Sequence, residues 1–229
     1  MTTFGLIHGA WHGAWCWERL VGPLAERGHR AIAVDLPIEE PEAGLDPCAD
    51  LVAASLAIAD DDVVVVGHSL HGLVAPLVAA RRPVAAVVYL CAFIPVEGMS
   101  MDDQFRAAEE PILIFSERPE RDGHDRSRWG DEEVARRALH PDLAPEDAAN
   151  AFAQLRPQEP TTQREICPPL PPVPAVSIIG ARDAAVNPEW SRRVARERLG
   201  ADPVELDAGH FPMITAPEAL AAALANVGH

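Results

Sequence analysis

The chain has no lysine, and all 19 of its basic residues are arginine. That absence removes a Schiff-base amine, a pyridoxal attachment point and the P-loop cation, together with the chemistry each supports. Cysteine is sparse and unpatterned. Cys16, Cys48, Cys91 and Cys167 show no C-x-x-C spacing, so neither a zinc site nor a disulfide framework is indicated, and their apolar surroundings suit reduced core thiols. Positive charge is outnumbered by 35 acidic residues, and the formal charge of −16 would repel a phosphate backbone or an anionic lipid surface before contact. Neither nucleic acid nor a membrane is an expected partner. No apolar run reaches bilayer-spanning length, and no basic region precedes an apolar core and cleavage site at the start. The chain reads as cytoplasmic.

What the sequence does contain is alternation. Six short apolar runs have the character of buried parallel strands: Thr3 to Ile7, Ala31 to Leu36, Val63 to Gly67, Ala85 to Cys91, Ala175 to Ile179 and Pro203 to Leu206. Between them, helical patterns fall near Trp15 to Arg27, Pro47 to Ala59, Leu70 to Arg81, Pro188 to Leu199 and Pro217 to Ala225, several with proline in the first turn. The expectation is a doubly wound α/β fold with a mainly parallel sheet of about six strands. The alternation breaks once, over residues 97–172, which turn acidic and arginine-rich and carry helical pieces at Asp131 to Leu139 and Pro145 to Leu155. This segment reads as a small helical cap inserted into a core made of residues 1–96 and 173–229. Its return, Cys167 to Pro174, is too proline-dense for sheet. The oligomeric state is left open, a homodimer included.

In an open parallel sheet the functional groups gather beyond the carboxyl ends of the strands. After the first strand comes His8-Gly9-Ala10-Trp11-His12-Gly13-Ala14-Trp15, a glycine-punctuated loop able to present a backbone N–H to an oxyanion. After the third comes Ser69, on the corner where VVVVGH passes into a helical pattern, with the Leu70 N–H beside it. The fifth ends in Gly180-Ala181-Arg182-Asp183 and the last in Gly209-His210. Serine, carboxylate and imidazole in this order match a nucleophilic triad in which Ser69 attacks, His210 takes its proton and Asp183 orients the imidazole. Asp207, three residues before His210, is the alternative acid. A serine before a helix also serves as an ordinary N-cap, and it is the other strand ends that favour the catalytic reading. His8 with His12, and His68 with His71, have spacings that metal ligands use, but no carboxylate or cysteine set accompanies them, so no metal is expected.

The loop HGAWHGAWCWERL, the corner VVVVGHSLHG, the run YLCAFIP and the tail segments GARDAAVNPEW and DAGHFPMITAPEAL together resemble the plant methylesterase and hydroxynitrile lyase group of the α/β-hydrolase fold, with its bacterial relatives. The resemblance spans roughly Thr3 to Pro95 and Val173 to Leu224 and is weak between them. It implies a serine hydrolase that cleaves a small carboxylic ester through an acyl-enzyme without a cofactor, with Ser69, Asp183 and His210 catalytic and Ala10 and Leu70 forming the oxyanion hole. It also places Phe93, after the fourth strand, in an apolar pocket, and Trp11 adjoins the oxyanion loop.

Two departures keep other functions in view. The lyases of the group carry a lysine just after the histidine and a threonine in the first loop, where this chain has Phe211 and Gly9. The G-x-S-x-G pattern is also broken, with His71 in the last position and Gly72 one place late. His71 leaves room for a non-catalytic member of the fold that only binds a small ligand. A neutral His71 with a packing or hydrogen-bonding role is the expected outcome, the alternative being that it lines the floor of the active site and reshapes the acyl pocket.

Overall fold

The computed structural model describes residues 1–227. Strand β1 (Thr2–Ile7) leads through a 3-10 turn into α1 (Glu18–Glu26), followed by β2 (Arg30–Val34), α2 (Leu45–Ser55) and β3 (Asp62–His68). After a 3-10 turn at Leu56–Ile58 that precedes β3, a third, Ser69–Leu73, precedes α3 (Ala75–Arg81) and β4 (Ala86–Leu90). The chain then leaves the sheet for α4 (Met101–Ala107), the short hairpin β5 (Glu120–Arg121) and β6 (Ser127–Arg128), and the helices α5 (Glu132–Leu139), α6 (Pro145–Phe152) and α7 (Thr161–Arg164). It returns as β7 (Ala175–Gly180), α8 (Pro188–Leu199), β8 (Val204–Leu206), α9 (Pro212–Thr215) and α10 (Pro217–Ala225). The main sheet runs β2-β1-β3-β4-β7-β8, and every neighbouring pair is parallel.

Both faces of this sheet are covered, which is why its central strands are apolar throughout instead of alternating with polar residues. Val64 and Val66 pack with Phe4, Leu6 and Leu90 against α1 and α10, while Val63 and Val65 pack with Val87 and Tyr89 against α2, α3 and α8. Each such valine, fully buried, contributes about 1.5–3 kcal/mol. The excursion between β4 and β7 joins both cores: Ala135, Ala138, Ala148 and Ala151 belong to the first, Met101 and Ile112 to the second. Among the described residues no helix is long and apolar enough to cross a membrane.

Several expected element ends shift for identifiable reasons. The run Ala85 to Cys91 stops at Leu90 because Cys91 takes a φ of 46°, outside strand geometry. The run Ala31 to Leu36 stops at Val34, and the Leu36 N–H goes to His8 Nε2 (3.0 Å) instead of a strand partner. The helix expected from Leu70 to Arg81 is divided: proline at its first turn has no N–H to continue an incoming helix, so a 3-10 turn comes first and α3 starts afresh at Ala75. In the excursion, Asp131 caps α5 by accepting from the Val134 N–H (2.9 Å). Helices α4 and α7 and the β5–β6 hairpin have no counterpart in the sequence expectations, being too short to show a period.

Candidate active site

Ser69 begins the turn that follows β3 and holds a φ of 53°, a conformation costing a non-glycine residue on the order of 1–3 kcal/mol. The Phe93 N–H donates to its carbonyl (3.1 Å), tying the corner to the end of β4. Close approach is secured by two glycines. A Cβ on Gly67 would stand 2.8 Å from Gly72 Cα, and one on Gly72 would stand 2.8 Å from both Ala92 Cβ and the Phe93 carbonyl. The glycine that matters here is therefore Gly72, one position beyond the pattern, and position 71 is free to carry a side chain.

His210, between β8 and α9, brings Nε2 to 3.0 Å from Ser69 Oγ and Nδ1 to 2.7 Å from Asp183 Oδ2. The other carboxylate oxygen of Asp183 accepts from the backbone N–H groups of Ala185 (2.8 Å) and Val186 (2.9 Å). Since a carboxylate can only accept, Nδ1 of His210 carries the proton and Nε2 is left as an acceptor for the serine hydroxyl. His210 and Asp183 are both buried, so this chain of contacts is shielded from water. Asp207 lies elsewhere: it is exposed and pairs with Arg182, Nε to Oδ1 2.8 Å. The His210 loop is held from two sides, by His68 Nε2 donating to the His210 carbonyl (2.9 Å) and by the Gly209 N–H donating to Asp142 Oδ2 (3.0 Å). Cys91 completes the surroundings, with ligand-type atoms of Cys91, Asp183 and His210 within 4.8 Å of one another. Burial and the nearby Asp183 charge push the Cys91 thiol well above its usual range, so it stays protonated.

The loop after β1 is ordered through its carbonyls. His71 Nδ1 donates to the His8 carbonyl (2.7 Å), His8 Nδ1 to that of Gly9 (2.9 Å), and His12 Nδ1 to that of Ala10 (2.8 Å). From the excursion, the Arg156 N–H donates to the Trp11 carbonyl (2.8 Å) and its guanidinium to that of His12 (2.8 Å). In a trans peptide the N–H points opposite to its carbonyl, so fixing the Gly9 carbonyl also fixes the direction of the Ala10 N–H. The rings serve as neutral donors. His8 Nε2 accepts from Leu36 N, and His12 Nε2 faces His140 Nε2 at 3.0 Å, which makes His140 the donor there. Burial drives His8, His12 and His68 well below the usual histidine range, takes His71 down to about 4 and takes His140 to about 3. The paired histidines of the sequence thus resolve into backbone clamps.

A pocket of about 540 Å³ opens beside Ser69, lined by Ala10, Trp11, Leu70, Phe93 and His210 from the core. Trp11, at a φ of 61°, also donates through Nε1 to Ser127 Oγ (3.0 Å), and Phe93 meets Phe105 edge to face. The three residues expected to be catalytic, the two expected to form the oxyanion hole and the two expected to line the pocket therefore come together, and Asp207 does not join them. The remaining wall comes from the excursion, with Phe105, Leu113, Phe115, Leu139 and Gln158 among its contributors. Of these the sequence held one visible signal, the apolar run Ile112 to Phe115, whose Ile114 N–H bonds to the Ala185 carbonyl (3.0 Å) just after Asp183. Two larger clefts, of about 920 and 1300 Å³, lie along α1 and α6 and along α4 and α8, and neither contains Ser69.

The alpha/beta hydrolase family model matches residues 6–223. The chain is 42% identical over 111 residues to a probable esterase, PIR7A, of Oryza sativa subsp. indica, a match covering 43% of this chain and 41% of the rice protein. The chain thus matches about two fifths of the length of that relative. Methylesterase 7 of Arabidopsis thaliana is 27% identical over 257 residues, covering 98% of this chain and 95% of that one. Among solved structures, a pyrethroid hydrolase from Sphingobium faniae JZ-2 superposes with a TM-score of 0.81 at 24% identity, over 100% of this chain and 97% of that one. By sequence along nearly its whole length and by fold, this chain belongs to the alpha/beta hydrolase family.

Proposed function

We propose that this protein is a carboxylesterase that cleaves small esters through an acyl-enzyme on Ser69. The observation that carries the reading is the unbroken contact chain from Asp183 through His210 to Ser69 Oγ, at 2.7 and 3.0 Å. His210 Nε2 takes the hydroxyl proton as Oγ attacks the ester carbonyl, and Asp183 stabilises the imidazolium that forms. The Ala10 and Leu70 N–H groups receive the oxyanion, an interaction whose loss costs an oxyanion hole about 3 to 4 kcal/mol. The imidazolium then protonates the departing alcohol. Water, deprotonated by the same His210, releases the acid and restores Ser69.

In this reading residues 97–172 form a cap over the core, and Trp11 and Phe93 contact the substrate on the core side. The names of the relatives, esterase and methylesterase, support ester cleavage. Four free, buried cysteines suit the reducing cytoplasm. The test is labelling by a fluorophosphonate together with hydrolysis of p-nitrophenyl butyrate. Wild-type protein should do both and a folded Ser69→Ala variant neither; a folded variant that retained most of the turnover would remove Ser69 from the role.

A further inference from the structure

Two of the loops that carry reacting groups are touched by a single turn of the excursion. Helix α5 ends at Leu139, and His140, Pro141 and Asp142 lead away from it toward α6. His140 is fully buried, its backbone fixed by donation from its N–H to the Arg136 carbonyl (2.9 Å), and its Nε2 lies 3.0 Å from His12 Nε2 in the loop after β1. Two residues on, Asp142 accepts from the N–H of Gly209, immediately before His210 (3.0 Å). A Cβ on Gly209 would collide with the Asp142 carboxylate, so the base loop carries glycine where the turn presses on it.

The direction of the His12–His140 contact is set by chemistry. His12 Nδ1 is 2.8 Å from the Ala10 carbonyl, which can only accept, so Nδ1 holds the proton of the neutral ring and Nε2 offers a lone pair. His140 must then donate from Nε2, which leaves its buried Nδ1 as an acceptor without a partner. The other neutral form of His140 would set two lone pairs face to face at 3.0 Å. Both rings also lie against Phe211, the residue after His210, with centroids 4.4 and 4.7 Å away.

What the contact does follows from Ala10, whose N–H is assigned to the oxyanion. The peptide planes on its two sides are pinned through their carbonyls, that of Gly9 by His8 Nδ1 and that of Ala10 by His12 Nδ1. Next to it Trp11 holds a φ of 61°, a conformation that persists in a non-glycine residue only when its surroundings enforce it. Without a donor at Nε2, the His12 ring is free to move its proton there or to turn, and the Ala10 carbonyl loses its clamp.

We propose that His140 is a positioning residue for the oxyanion hole: by donating to His12 it keeps Nδ1 of that ring on the Ala10 carbonyl, so the end of α5 must be seated for the Ala10 N–H to meet the oxyanion. The proposal rests on the esterase reading and adds that the excursion acts on the rate of the reaction as well as on which substrate fits.

The experiment separates rate from binding and from stability. With p-nitrophenyl butyrate, His140→Phe, which keeps an aromatic ring but has no donor, should lower kcat by about tenfold or more and leave KM within about threefold, and fluorophosphonate labelling should slow in parallel. His140→Gln, whose amide N–H can take the place of Nε2, should recover kcat to within about threefold of wild type. His12→Phe should resemble His140→Phe, and the double variant should be no slower than the worse of the two, as expected of groups acting along one line. Circular dichroism and thermal melting check the folding of each. Independently of any variant, long-range proton–nitrogen NMR spectra of the wild type should show His12 protonated at Nδ1 and His140 at Nε2. A folded His140→Phe with kcat within twofold of wild type, a loss confined to KM or to thermal stability, a loss that Gln does not rescue, or the opposite ring tautomers would each overturn the proposal while wild-type turnover stands. Wild-type protein that neither cleaves the ester nor takes the label would overturn the esterase reading itself, and the positioning role with it.

Discussion

The two walls of the pocket are built on different terms. On the core wall, consecutive carbonyls of one loop are held by imidazoles and an arginine at distances near 2.8 Å, and Ser69, Asp183 and His210 stand in turns just beyond the carboxyl ends of parallel strands of one sheet. On the opposite wall, Phe105, Leu139 and Gln158 come from helices of seven and eight residues and from an irregular stretch beside a two-residue strand. Many ion pairs of that region, such as Arg136 with Glu133 and Arg128 with Glu120, are solvent-exposed and so add little to its stability. The difference teaches that the reacting groups sit on the part of the molecule that is hardest to deform, while the surfaces that choose a substrate sit on the part that is easiest to change.

The most demanding way to break that comparison is to disturb the core wall by one atom. Asp183→Asn preserves shape but removes the acceptor that fixes the His210 tautomer, and kcat should fall by about 10⁴-fold by analogy with serine proteases. Asp207→Asn, two residues from the same loop's Gly209 but exposed, should change kcat by less than twofold. Steady-state kinetics on the pair decides it, and the reverse ranking would move the acid to Asp207.

A second test acts on the histidine clamps through pH. His8, His12, His68, His71 and His140 all have folded-state values depressed by burial, His71 to about 4 and His140 to about 3, while an unfolded histidine titrates near 6.5. Below 6.5 the unfolded chain binds protons that the folded chain refuses, so stability is full above 6.5 and is lost as pH falls toward the folded values. For His71 alone the shift corresponds to on the order of 3 kcal/mol. Urea denaturation at pH 7, 6, 5 and 4.5 should show this fall, and a flat profile would mean the rings are not held neutral.

The smallest expected effect isolates one clamp. His71→Gly frees the His8 carbonyl, loosens the loop that aims the Ala10 N–H, and should lower kcat by up to about tenfold, near 1.4 kcal/mol, with KM within twofold. His71→Asn, whose amide N–H takes the place of Nδ1, should restore most of the loss. A kcat decrease that Asn fails to rescue would assign His71 to packing alone.

How far the sequence revealed this arrangement follows from the kind of signal involved. Ser69, Asp183 and His210 were legible because each ends an apolar run, and runs such as Val63 to Val66 owe their composition to burial on both faces of a sheet. Ala10, Leu70, Trp11 and Phe93 needed the resemblance as well as their positions. Arg156, Asp142 and Gln158 carry no such mark: they meet the Trp11, Gly209 and Ser127 backbones across 145, 67 and 31 positions of sequence respectively, through irregular chain with no period to read. His71 was legible as an anomaly but not as a donor, because its partner is a carbonyl 63 residues away.

The displaced glycine of the serine corner bears on how sequences of this kind are searched and altered. A filter demanding glycine two places after the nucleophile would discard this chain, although the contact that glycine serves survives intact between Gly67 and Gly72. What selection guards is a separation between two backbones, and a neighbouring position can supply it. Once it does, the vacated position becomes a place where new side chains can be tried within reach of the reaction, as His71 has been.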